Sequence, residues 1–343
     1  MKSKAEGGRR KAERGWFQFI LRPSAFILGC VLLAGAALAQ PQPQPYPARP
    51  VRLILPFPAG GPTDILGRLL GQKLSEHLGQ PVVPENRPGA GGNVGTEFAA
   101  KQPPDGYTIV LASPALAISP NLYRKLNYDP VRDFAPISLV AQVPNVLLVH
   151  PSVPAKNLKE LAAVARANPG KITFGSGGLG TGQHLAGEIF KSVARVNMLH
   201  VPYKGSGLAM IGMIGGHLDM LVIGAPPTLP QIQSGKVRAL AALTTERLDI
   251  LPQLPTAGES GFPDFVVMSW YGILAPSGIP RDILARLNAG LGKILTAPDT
   301  RERMAAAGFT PLTSTPERFT EFIKSEMARY ASVIKDANLK IEQ

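Results

Sequence analysis

An α/β fold in two domains is what the sequence predicts, on three observations. Strand-like and helix-like segments alternate along most of the chain, the pattern of α/β units built on mainly parallel sheets. Two apolar extended segments, APISLVAQVPNVLLVHP (135–151) and FVVMSWYGILAP (265–276), exceed the usual strand length of about 5–6 residues. The 343 residues are 45% hydrophobic and 17% charged, enough for two cores without disulfides or metals. Each long segment can leave one sheet and enter another. Two such crossings place an inserted domain, 143–269, within a discontinuous one, 46–142 plus 270–343. A cleft between them, faced by strand-to-helix loops, is a natural small-ligand site.

In chain order, residues 1–39 read as an export leader. Lys2, Lys4, Arg9, Arg10, Lys11, Arg14 and Arg22 precede an apolar run over 25–35, and Ala37 and Ala39 form an A-x-A end. This order is that of a signal peptide, cut after Ala39, and implies a periplasmic destination. The apolar run is shorter than the ~20 residues of a membrane span. Cys30 is the single cysteine and lies in the leader, so the exported chain is expected to use neither disulfides nor thiol chemistry. The alternating Gln-Pro segment over 40–45 reads as an extended tether.

Strands are expected at 51–56, 81–84, 107–112, 136–150 (interrupted by Pro144), 171–174, 198–202, 218–223, 237–243 and 266–274, where apolar and β-branched residues gather. Helices are expected at 62–78, 93–101, 157–167, 182–194, 206–215, 229–234, 280–296, 299–307 and 316–336. In the first of these, Leu66, Leu69, Leu70, Leu74 and Leu78 recur at helical spacing and form a core stripe. Asn157 with Glu160 three residues on is a capping-box variant, and Asn168-Pro169-Gly170 stops that helix.

The formal charge is +12. The leader carries seven basic and two acidic residues, which leaves about +7 on the exported chain. The basic residues are scattered, with no Lys/Arg block and no aromatic interleaving. They read as a solvated surface with a mild bias toward anionic ligands and no nucleic-acid partner.

The chemical motifs exclude more than they assign. Gly175-Ser176-Gly177-Gly178-Leu179-Gly180 fits G-x-G-x-x-G between a strand and a helix, but the next strand carries no acid for a ribose. No G-x-x-x-x-G-K-[ST] and no G-x-S-x-G occur, so neither a P-loop nor a nucleophile elbow is expected. The five histidines have no metal-ligand spacing. No catalytic residue, metal or cofactor is assigned. Three glycine-bearing loops remain. Loop one, Phe57 to Asp64, ends at a helix start whose free N–H groups suit an anion. Its Asp64 can either cap that helix or meet a ligand hydroxyl, an amine or a bridging water. Loop two, Ser176 to His184, offers hydroxyls at Ser176 and Thr181. Loop three, Pro202 to Ser206, offers the Tyr203 ring and the Lys204 cation.

The stretches VRLILPFPAGGPTD, PVVPENRPGAGGNVG, PPDGYTIVL, HLAGEIFK, HVPYKGS, LPTAGESGFPDF and WYGILAPSGIP, in this order, resemble the tripartite tricarboxylate transporter substrate-binding receptors, the Bug family. The resemblance runs from about Tyr46 to the C-terminus. It implies a periplasmic binding protein fold of the second type: two α/β domains, a ligand cleft and two crossing strands. It implies ligand contacts from Phe57, Gly60, Gly61 and Asp64 on one side. On the other they come from Ser176, Gly178, Thr181, His184, Tyr203 and Lys204. The implied function is capture of a small organic acid by a monomer that delivers it to membrane permease subunits. A sensor presenting its closed form to a signalling partner is the alternative, and an exported enzyme on the same fold a further one. Ala59, Pro62, Leu179, Ile223 and Gly224 depart from the family's usual residues. They imply a more apolar wall and a simple or aromatic carboxylate in preference to an amino acid. Trp270, the one tryptophan after the leader, falls in a crossing strand and would be a reporter of closure.

Overall fold

The computed structural model describes residues 46–336 and 339. The leader over 1–39 and the tether over 40–45 lie outside the described residues. Strand β1 (Val51–Leu55) is flanked by β2 (Val82–Asn86) and β3 (Thr108–Ala112), both parallel to it. Val51, Leu53, Ile54 and Leu55 are fully buried, as a parallel strand covered on both faces should be. The leucine stripe of helix α1 (Pro62–Leu78) packs against β1 and β3 side chains. Pro62 sits in the first turn, where its missing N–H costs nothing. Gly79 ends the helix at φ 72°, a left-handed conformation open to glycine.

Helix α2 (Asn93–Ala100) follows β2, and α3 (Ala115–Leu122) follows β3. The sequence pattern predicts no helix at α3. Six of its eight residues are buried and Pro120 lies inside it, so it shows no amphipathic period and carries a helix-breaking residue.

Strand β4 (Phe134–Val149) is 16 residues long and changes partners midway. Its first part runs antiparallel to β9 (Met268–Pro276) as far as the pair Pro144–Met268. From Asn145 onward it pairs with β7 (Met220–Gly224) on one side and β8 (Arg238–Ala242) on the other. Pro144, which has no N–H to give a ladder, sits at the change. Register shifts at 136/138 and 139/141 bend the strand on the way.

Beyond β4 come α4 (Leu158–Ala167), β5 (Thr173–Ser176), α5 (Gly182–Ala194), β6 (Leu199–Pro202), α6 (Ser206–Ile214) and α7 (Leu229–Gln233). After β9 the chain forms α8 (Arg281–Thr296), α9 (Pro298–Ala306), β10 (Thr310–Pro311) and α10 (Pro316–Asp336). The sheet order is β2-β1-β3-β9-β4-β7-β5-β6, with β8 and β10 also on β4. The sheet is mixed, where mainly parallel pairing was expected. Its flanks are parallel. Its centre is antiparallel because β4 and β9 carry the chain out and back.

Buried clusters form on either side of the partner change. One joins α1, β1, β3 and α8, and another joins α3, Trp270 and α10. Two more join the far part of β4 to α4 and α5, and to α6.

Candidate functional site

Four strand-to-helix turns meet around one cavity of about 100 Å³, several times the ~10–15 Å³ that one water needs. They are the starts of α1 (Gly61, Thr63), α3 (Ser113, Pro114), α5 (Thr181, Gln183) and α6 (Ser206, Leu208). Its floor is the pair of crossing strands, through Val143 and Asn145 of β4 and Ser269 and Tyr271 of β9, with Gly224 of β7. A side chain at Gly224 would collide with Val143 Cγ1, at 2.7 Å from its Cβ.

Loop one is held by Asp64 rather than opened by it. Gly60 has φ 84°, a conformation that favours glycine, and its N–H donates to Asp64 Oδ2 at 3.0 Å. Arg68 Nε donates to the same oxygen and Asn86 Nδ2 to Oδ1, both at 3.0 Å. Burial by itself would raise the Asp64 carboxyl, but these donors outweigh it and hold it below its usual value. Asp64 does not line the cavity. Gly61 and Thr63 do, and their N–H groups, at the uncapped start of α1, have no acceptor among the described residues.

Loop two is braced from behind in the same way. Ser176 is fully buried, and its hydroxyl meets the Gly178 N–H at 3.1 Å and His200 Nε2 at 2.7 Å. The Thr181 hydroxyl caps α5 by accepting from the His184 N–H at 3.3 Å and donates to the Gly178 carbonyl at 2.8 Å. Gln183 Oε1 takes the Gly177 N–H at 2.7 Å. His184 Nδ1 accepts from the Gly180 N–H at 3.3 Å, and its ring stacks on His200 with centroids 4.1 Å apart. The hydroxyl–imidazole pair of Ser176 and His200 is no nucleophile elbow: Ser176 lies behind Gly178 and outside the cavity lining. In loop three, Tyr203 packs its ring beneath Gly212 of α6, and Lys204 lines the cavity.

Of the ten residues singled out in the sequence, the cavity lining includes Phe57, Gly61, Thr181 and Lys204. Gly60, Asp64, Ser176, Gly178, His184 and Tyr203 stand behind it and shape the loops. Leu179 and Ile223, read as wall residues, are not in the lining, whereas Gly224 is. Sequence reasoning missed Ser113, Gln183, Ser206, Asn145, Ser269 and Tyr271. Ser269 carried a usable signal, as the one small polar residue in its apolar crossing strand, whereas Asn145 shares its strand with Ser138 and Gln142. Asn145 and Ser269 bond each other, Asn145 Nδ2 to Ser269 Oγ at 3.1 Å.

The electrostatics of the cavity are one-sided. Helix N-termini carry partial positive charge, and three with unspent N–H groups meet here beside Lys204. No Asp or Glu belongs to the lining. Among the described residues, no group of three or more His, Cys, Asp or Glu is placed to hold a metal ion.

This architecture is an α/β periplasmic binding protein fold, with a cavity at its crossing strands. Residues 66–339 match the family described as "Tripartite tricarboxylate transporter family receptor", and the chain belongs to that family. It is 38% identical over 317 residues to protein BugT of Bordetella pertussis, covering 91% of this chain and 97% of BugT. Among solved structures it resembles Rpa4515 of R. palustris with adipate, at 34% identity and TM-score 0.83, covering 86% of this chain and all of that one (100%). It also resembles MatC of Rhodopseudomonas palustris with bound malate, at 31% identity and TM-score 0.81, covering 84% of this chain and 100% of the other.

Proposed function

We propose that this protein is a receptor that captures a small organic carboxylate in the cavity at its crossing strands and hands it to membrane permease subunits. One observation carries the reading. The N–H groups at the starts of α1, α5 and α6 converge with Lys204 on a cavity whose lining holds no carboxylate. Such a site favours an anion and offers a ligand ammonium no charged acceptor. A plain or hydroxylated acid therefore fits better than an amino acid. The adipate and malate of the two related structures support this class.

In this reading the ligand is gripped by Gly61, Thr181 and Lys204, with Phe57 as an apolar wall. Gly60, Asp64, Ser176, Gly178, His184 and Tyr203 serve by fixing the loops. Residues 46–142 with 270–343, and 143–269, act as two domains that close on the ligand. The leader is removed after Ala39 and the receptor works in the periplasm as a monomer. It acts as a receptor and not as an enzyme: the Ser176–His200 hydroxyl–imidazole pair lies outside the cavity lining. Among the described residues no helix is long and apolar enough to cross a membrane.

Native mass spectrometry of protein secreted by cells grown on mixed organic acids tests this. The expected result is a bound species with the mass of a small carboxylic acid, lost on denaturation. A bound amine, sugar or peptide in its place would overturn the reading.

A further inference from the structure

The two sides of the cavity also touch at a place that does not line it. Leu179, at the tip of loop two, packs half-buried against the cluster that includes α3 and α10, beside Tyr123. Tyr123 is the residue that ends α3. Its hydroxyl lies 3.0 Å from the Leu179 carbonyl and 3.2 Å from the Ala90 carbonyl. The fit is close on both flanks. A Cβ on Gly91 would run into the Leu179 carbonyl, and one on Gly180 would come within 2.8 Å of Tyr123 Cε2. Gly180 and Gly91 are both left-handed, at φ 76° and 66°, so glycine is required there for space and for conformation.

Tyr123 belongs to the β1–β3 side and Leu179 to the β5–β6 side. Neither Tyr123 nor Leu179 is in the cavity lining. Their bond therefore depends on the two sides being together and not on what the cavity holds. We propose that the Tyr123 hydroxyl and Leu179 form a latch that stabilises the closed form and sets how long a ligand is retained. The inference rests on the receptor reading only in that release requires opening. A contact present in the closed form alone shifts the closed–open balance whatever the ligand. It acts on release, because a captured ligand leaves only when the latch opens. Removing one such hydrogen bond should change the balance roughly two- to tenfold.

The test uses the full chain with Cys30→Ser and spin labels at Lys125→Cys and Ser234→Cys, two exposed sites on opposite sides. Inter-label distances are measured without ligand, in this labelled parent and with Tyr123→Phe added. Phenylalanine keeps the ring that packs on Gly180, so the fold is retained. The expected result is a measurable closed population in the labelled parent and a closed-to-open ratio roughly two- to tenfold lower with Tyr123→Phe. Leu179→Ala, which strips the packing and keeps the carbonyl, should lower the ratio as well. With adipate as probe, Tyr123→Phe should release it faster by the same factor with association unchanged. Equal closed fractions in the parent and Tyr123→Phe would overturn the latch. A protein that binds no acid would count against the receptor reading, and the ligand-free distances would still decide the latch.

Discussion

The Asp64 carboxylate lies next to an anion-favouring cavity and faces away from it. Arg68, one turn along α1, and Asn86, 22 residues on, hold it there with the Gly60 N–H. Replacing it by alanine should strip three donors of their acceptor and cost about 1–3 kcal/mol of stability, read by denaturant unfolding. Because its pKa is lowered in the folded state, its contribution is full above the unfolded value of ~3.9 and is lost as pH falls below that. Lys204, on loop three, lines the cavity itself. Lys204→Gln should weaken anion binding by about tenfold or more, since hydrogen bonds to charged groups are worth ~1.5–3 kcal/mol, with little change in stability; equal affinities by calorimetry would refute its role. The sequence places both residues at glycine loops. It does not tell which faces the cavity, because that is decided by partners such as Asn86 that lie on another strand.

At the scale of elements, α5 and β6 are joined by a ring stack. His184 sits over His200, and His200 over Phe174 with centroids 4.8 Å apart. Burial lowers the His184 pKa to about 4 and that of His200 to about 3, helped for His200 by the neighbouring His184 and for both by Lys191. The unfolded chain takes up these protons near pH ~6.5, whereas the folded one resists until the lower values. The unfolded state therefore binds more protons across that window, and stability falls as pH drops from about 6.5 toward 4. His200→Gln should flatten this fall, checked by melting temperatures at pH 7, 6 and 5; an unchanged slope would contradict it. Both elements were legible in the sequence, α5 to the residue and β6 within one residue of its start. Their histidines carried no metal-ligand spacing, and only the fold brings 184 and 200 together. Helix α3 was illegible for a different reason: buried on nearly every face and holding Pro120, it has no period to read.

Across the whole molecule, the crossing strands organise both fold and site. Their excess length marked them in the sequence, and Pro144, which looked like an interruption, is where β4 changes partners. The cavity floor was not legible, because which polar residue of a strand faces a cleft depends on register and bulges. Trp270 shows the same limit. It lies in β9 but is buried against Phe319 and Phe322, with Nε1 donating to Glu326 at 3.0 Å. Its ring and hydrogen-bond partners all lie on α10, so its emission should barely change on ligand addition, contrary to what its place in a crossing strand suggests. A large shift in a fluorescence titration would show that this packing rearranges.

Everything proposed for the whole molecule depends on the cavity binding a small organic carboxylate. Titration calorimetry of the purified protein against a panel of mono- and dicarboxylates, amino acids and amides tests it most directly. The expected result is micromolar or tighter binding of at least one acid without an amine, and weaker binding of its amino-acid counterpart. Preference for aspartate or glutamate over every plain carboxylate, or no micromolar binding to any acid or amide, would contradict it.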